Sequence, residues 1–151
     1  ATTVMGRFLR DNCQQPLLVG PDAESEQWVA AIAREARLDY CIAQKNRRGD
    51  KEVDVRLPEY AFAGRDVVLI DDVASTGHTL EKATIELVSR AAASVSVLVT
   101  HALFIDDACS RLEQAGVNNI WSCDSIPHPS NCLSLAPMLA AGLRQLLNEQ
   151  Q

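Results

Sequence analysis

The chain has 151 residues, of which 47% are apolar and 23% charged, with a formal net charge of −6. That length is one ordinary domain, and that composition excludes a disordered or collagen-like chain. No apolar run approaches the roughly 18 residues of a membrane span, so no integral membrane protein is expected. The acidic balance disfavours a nucleic-acid surface, while leaving room for a local set of donors that holds a small phosphorylated molecule.

Cys13, Cys41, Cys109, Cys123 and Cys132 are odd in number and never form a C-x-x-C pair. They read as reduced, mostly buried thiols of a cytoplasmic protein, not as a disulfide framework or a zinc site. The start, Ala1-Thr2-Thr3-Val4, has no basic segment leading into an apolar core, so no secretion signal is expected. It also lacks an initiator Met, as a processed form or a fragment of a longer chain would.

No repeat or linker divides the chain. Residues 16–20 (PLLVG) form a short buried strand, and 23–38 carry a helical stripe at Trp28, Val29, Ile32, Ala33 and Ala36. A second strand is expected over 40–43. Residues 44–52 are charged and have no apolar period, which predicts an exposed loop. The strongest strand is 66–71 (DVVLID), followed by a helix over 78–92, a strand over 94–100 (SVSVLVT), a helix over 105–115 stopped by Gly116, and a strand over 119–123. Residues 126–131, with Pro127 and Pro129, read as a loop. A last helix spans 135–148, with Pro137 in its first turn, where a missing N–H costs nothing. Such alternation predicts an α/β fold, a doubly wound, mostly parallel sheet flanked by helices. In these sheets ligands bind beyond the carboxyl ends of the strands, where strand order reverses.

The informative residues do follow a strand. After DVVLI come Asp71, Asp72, Val73, Ala74, Ser75, Thr76, Gly77, His78 and Thr79, leading into a helix. A helix start offers free N–H groups and a positive dipole end, which suit phosphate. Ser75, Thr76 and Thr79 can add hydroxyl donors, and Gly77 lets backbone approach closely. Asp71 and Asp72 repel phosphate but suit vicinal sugar hydroxyls or a divalent cation. A lone S-x-x-T would read as a plain helix cap. With the strand and both acids in front of it, the segment reads as a ribose-phosphate site.

VVLIDDVASTGHTL resembles the ribose-binding signature of the type I phosphoribosyltransferase fold. The segments VGPDAESEQWVAAIARE, THALFIDDACSRLEQAGVNNIWSCDSIPHP and LSLAPMLAAGL, with the loop carrying Lys45 and Arg47, are similar in order to the C-terminal half of ribose-phosphate diphosphokinases. The resemblance implies that residues 1–151 are one phosphoribosyltransferase-like domain, half of a longer two-domain enzyme. It implies transfer of the diphosphoryl group of ATP to the anomeric hydroxyl of ribose 5-phosphate, giving phosphoribosyl diphosphate and AMP. By the same resemblance Asp71 and Asp72 would hold the ribose hydroxyls, partly through magnesium, and Ser75, Thr76, Gly77, His78 and Thr79 the 5-phosphate. Lys45 and Arg47 would act as catalytic cations on a mobile loop, and Asp22 would join the magnesium site. A homo-oligomer without nucleic-acid or membrane partners is implied, with the isolated chain feebly active at most.

Some positions depart from that family. Glu24 and Ser25 stand where a glycine pair is usual, Trp28 where a basic residue is expected, Ser75 for an Asp and His78 for a Gly. Carboxylates at Glu24 and Glu26 repel a diphosphate. These departures favour a second reading, a non-catalytic relative that regulates a true synthetase. A third is a phosphoribosyltransferase that uses phosphoribosyl diphosphate, against which no hood segment for a base is visible. His101 follows a strand and matches a Thr-His of the family, or is a polar strand-end residue bonded to backbone. His128 has no assigned role, Asp106 and Asp107 favour a helix dipole, and Trp121 is read as packing.

Overall fold

The computed structural model describes residues 1–48 and 52–148, with the backbone alone at 45–48 and 52–54. Its centre is β5, Asp66–Ala74, a β-branched and aliphatic run whose residues Val67 to Ile70 are all buried. Continuous burial of both faces is what a central parallel strand requires. Around it lie β1 (Leu17–Gly20), β2 (Tyr40–Ile42), β6 (Ser94–Ala102), β7 (Val117–Cys123) and β8 (Asn131–Leu133). They form one parallel sheet in the order β2-β1-β5-β6-β7-β8.

Alternate strand residues face opposite layers, as the period of two demands. Leu17, Val19, Val67, Leu69, Val95, Val97 and Val99 pack with Leu80, Ala83 and Leu87 of α3 (His78–Ser89) and with Ala108 and Leu112 of α4 (Ala108–Ala115). Leu18, Val68, Ile70 and Leu98 pack the other way, against Met5 and Leu9 of α1 (Thr2–Asn12) and Val29, Ile32 and Ala33 of α2 (Glu26–Ala36). The expected doubly wound α/β architecture is thus present. The chain steps outward from β1 to β2 and returns on the other side of β1 as β5, so strand order reverses between β1 and β5.

Several expectations are corrected. Residues 44–52 are not a loop along their whole length. β3 (Gln44–Arg48) pairs antiparallel with β4 (Glu52–Arg56), with Lys45 opposite Val55 and Arg47 opposite Val53. The apolar alternation that defines this ribbon lies in EVDVR, whose Val55 is buried, while QKNRR follows by pairing. The helix expected from residue 23 starts at Glu26, behind a 3-10 turn over Ala23–Ser25. The helix expected from 105 starts at Ala108, because Phe104 (φ 35°) and Asp106 (φ 54°) hold left-handed backbone. α1 and β8 were not anticipated. α5 (Ala136–Asn148) closes the described chain and buries none of its residues.

No described helix is long and apolar enough to cross a membrane. All five cysteines are free, but only Cys41 and Cys123 are buried. Burial pushes both of those thiols up to about 11, so neither is a nucleophile near neutral pH. Cys132 is exposed, against the expectation of burial.

Candidate functional site

The switch between β1 and β5 opens into a cleft of about 450 Å³. One wall is the β5 end and its turn, with Asp71, Asp72, Ser75, Thr76, Gly77, His78 and Thr79. The other is Asp22, Glu24, Ser25, Gln27 and Trp28, which follow β1. Every residue expected to hold ribose, 5-phosphate or magnesium therefore lines one cavity. Lys45 and Arg47 sit in β3, and their side chains lie outside the described residues.

Gly77 caps α3 in left-handed backbone (φ 74°), and no side chain caps the helix. The first amides of α3 consequently keep the character of an anion site. A Cβ at Gly77 would meet nothing closer than Ala108 Cβ at 3.5 Å, so the glycine is there for its conformation and not for space. Gly77→Ala is expected to cost about 1 kcal/mol, the price of left-handed backbone for an L side chain. Thermal melting checks this: an unchanged melting temperature would mean that the turn relaxes to another shape.

The turn is anchored from behind. The Ala74 carbonyl accepts from the N–H groups of Leu103 (3.0 Å) and Phe104 (2.9 Å), and the Ser75 carbonyl accepts from Ile105 N–H at 3.1 Å. Arg111 Nη2 donates to the Thr76 carbonyl. The same guanidinium pairs with Glu81 (3.3 Å) and with Asp107. Three successive carbonyls are thus held by the β6–α4 side. Nothing in the sequence marked Arg111 except its i+4 spacing from Asp107, and Asp107 serves this pair in addition to starting α4.

Asp71 and Asp72 hold their positions through local amides. Asp71 Oδ1 accepts from Asp72 N–H at 3.0 Å, and Asp72 Oδ1 from Val73 N–H at 2.7 Å. Burial pushes the Asp71 carboxyl up to about 7, and the like charges of Asp72 and Asp22 push the same way, against the lowering effect of the Asp72 amide. A divalent cation would relieve that crowding. Among the described residues no three His, Cys, Asp or Glu side chains are gathered closely enough to hold a metal by themselves. The expected Asp22–Asp71–Asp72 set is therefore not a preformed three-ligand site. Adjacent Asp71 and Asp72 still fit magnesium, which keeps waters and takes substrate oxygens alongside one or two carboxylates.

The opposite wall is a turn closed by its own hydrogen bonds. Asp22 Oδ1 accepts from the amides of Glu24 (3.1 Å) and Ser25 (3.3 Å), and Ser25 Oγ donates to the Asp22 carbonyl at 2.6 Å. Ser25 is buried, and a Cβ at Gly20 would come within 2.2 Å of its Oγ, so Gly20 is what allows this turn to fold inward. His101 Nδ1 lies 2.8 Å from Ser125 Oγ, which in turn donates to the Thr100 carbonyl. His101 thus bonds a serine side chain and not backbone directly, and it lines a second cavity with Asp71 and Asp72. Trp121 packs edge-on against Phe8, with ring centroids 5.3 Å apart.

The family described as Phosphoribosyl transferase domain matches residues 3–135. The ribose-phosphate pyrophosphokinase (diphosphokinase) of Methanopyrus kandleri is 29% identical over 148 residues, which cover 97% of this chain and 51% of that protein. The Methanosarcina mazei protein of the same name is 32% identical over 144 residues, covering 95% of this chain and 49% of its own. The chain thus spans about half the length of the curated relatives it matches, and the resemblance to half of that enzyme is borne out. In fold, it is similar to the crystal structure of phosphoribosylpyrophosphate synthetase from Mycobacterium smegmatis, with a TM-score of 0.76 and 24% identity over 98% of this chain and 49% of that one. With the parallel sheet, the switch-point cleft and the acid-to-glycine turn all in place, the chain belongs to the phosphoribosyl transferase domain family.

Proposed function

We propose that this chain is the ribose-5-phosphate-binding domain of a ribose-phosphate diphosphokinase, the enzyme that moves the diphosphoryl group of ATP to the anomeric hydroxyl of ribose 5-phosphate. The observation that carries the reading is the run from Asp71 to Thr79, two carboxylates and an uncapped helix start in one cleft. The 5-phosphate accepts from the amides and hydroxyls of 75–79, and the ribose hydroxyls donate to Asp71 and Asp72. Asp71 and Asp72 would hold magnesium, which when bound would supply charge neutralisation for the transferred group. Asp22 faces the same space. Such transfer depends on positioning and electrostatics more than on covalent chemistry by the protein. Lys45 and Arg47 are the cations proposed to meet the ATP phosphates.

A second reading has its own observation. The Glu24 and Ser25 amides are already engaged by Asp22, and Glu24 lines the cleft. This favours a relative that binds ribose phosphate and regulates a synthetase without transferring diphosphate itself. Both readings require ribose 5-phosphate to bind.

Calorimetric titration of ribose 5-phosphate with magnesium, into this chain and into Asp72→Asn, tests the shared part. Loss of a hydrogen bond to a charged acceptor is expected to weaken binding by about tenfold or more in the variant. Equal binding to both proteins would remove Asp72 from the site. AMP release from ATP by the full-length protein then separates the readings: turnover supports the diphosphokinase, and binding without turnover supports the regulator.

A further inference from the structure

Away from the cleft, α1 and α2 enclose a groove of about 570 Å³, larger than the cleft itself. Thr2 and Thr3 line it at the start of α1, and Arg10, Arg34 and Arg37 line it where the two helices end. Arg37 stands just before β2, at the amino ends of the strands, whereas Asp71 to Thr79 follow the carboxyl end of β5. Groove and cleft share no lining residue.

The charges around the groove are unevenly matched. Glu35 also lines it, and Arg7 takes that carboxylate at 3.5 Å. Arg10 pairs with Asp11 at 3.2 Å on open surface, where an ion pair holds weakly. Among the described residues the side chains of Arg34 and Arg37 have no hydrogen bond or ion pair. A helix dipole accounts for Arg10 and Arg34, each in a last turn. It does not account for Arg37. That residue ends α2 with φ 58° and ψ 49°, left-handed backbone where glycine is usual and an L side chain is strained. Strain kept at a side chain without a partner in the chain points to a partner outside it.

In a chain of net charge −6, three arginines around one groove reverse the sign locally. Guanidinium groups take carboxylates in paired, planar hydrogen bonds, and the threonine hydroxyls can donate as well. Along α1 the groove runs about 12 Å from Thr2 to Arg10, the reach of three or four extended residues. A nucleic acid would run on from it over a surface whose net charge repels phosphate. A short acidic segment touches only the reversed patch. We propose that the α1–α2 groove is a docking surface for a partner protein, which it holds by an extended segment carrying several carboxylates.

The probe is fluorescein-labelled hexaglutamate, titrated into the chain at low salt and followed by anisotropy. Arg34→Gln together with Arg37→Gln is expected to weaken its binding by about tenfold or more. Both side chains are exposed, so these variants should fold as the wild type does. Arg37→Gly separates binding from stability. It should bind the peptide about threefold or more weakly yet melt no lower than the wild type, because glycine takes left-handed backbone without strain. Equal binding by the wild type and the double variant, or binding by neither, would overturn the proposal. So would displacement of the peptide by tripolyphosphate at lower concentration, which would mark a small-anion site. Tighter binding of a single-stranded oligothymidylate of equal charge would overturn it too, in favour of a nucleic-acid surface.

Discussion

Asp71→Asn is expected to stabilise the metal-free protein at pH 8 and to leave it almost unchanged near pH 4. The Asp71 carboxyl is moved from its ordinary 3.8 to about 7, chiefly by burial and then by the charges of Asp72 and Asp22. A carboxyl raised in the folded state binds its proton more readily there than in the unfolded chain. Its contribution is therefore most favourable below about pH 4, and is lost as pH rises toward 7. The full displacement corresponds to about 4 kcal/mol, and the partial solvent contact of Asp71 brings the expected difference at pH 8 to about 2 kcal/mol. For a chain of this size that is a rise of about 4–8 °C in melting temperature. Asparagine has no charge to bury, so the wild-type curve should fall away from the variant's between pH 4 and 7. Magnesium should close the gap, raising the wild type at pH 8 and the variant much less. Parallel curves for the two proteins from pH 4 to 8 would mean that Asp71 ionises like an exposed carboxylate, and that its burial carries no strain for a cation to relieve.

This excess of like charge is also what made the site readable. Two acids after an aliphatic run are conspicuous in DVVLIDDVASTGHTL, and one central strand delivers them to the switch point. The same holds for the core strands, whose continuous apolar runs are read without tertiary information. The β3–β4 ribbon was not legible because only one of its strands carries a pattern; QKNRR takes its conformation from pairing with EVDVR. α1 was equally obscure. It has no capping side chain at Ala1 and carries a glycine in its middle, and its Met5 and Leu9 count as core only once α2 is laid beside it. Trp28 was read into the apolar stripe of α2, yet it is 38% exposed while Val29, Ile32, Ala33 and Ala36 are buried. Interactions between distant segments leave the faintest trace. Leu103, Phe104 and Ile105 hold the 74–75 turn through their backbone amides, which any residues but proline could supply.

Arg111 belongs to that last group, and Arg111→Met is expected to weaken ribose 5-phosphate binding by about tenfold or more with little loss of stability. The side chain lies outside the apolar core and is about a quarter exposed, at 25%. Its removal takes away a charged donor to the Thr76 carbonyl, a hydrogen bond of about 1.5–3 kcal/mol. It also leaves Glu81 and Asp107 without this cation, near the helix start proposed to receive the phosphate. Two effects then act together: a turn freed to rotate its carbonyls toward the ligand, and added negative charge near it. Two further substitutions separate them. Glu81→Gln together with Asp107→Asn in the Arg111→Met background removes both released charges and should recover the electrostatic part only. Guanidinium ion at millimolar concentration should recover the remainder by re-occupying the cavity between Thr76 and Asp107, an outcome that a role confined to folding would not produce. If Arg111→Met binds ribose 5-phosphate as the wild type does, the three backbone bonds from Leu103, Phe104 and Ile105 are enough to shape the turn, and the arginine is an ordinary surface ion pair.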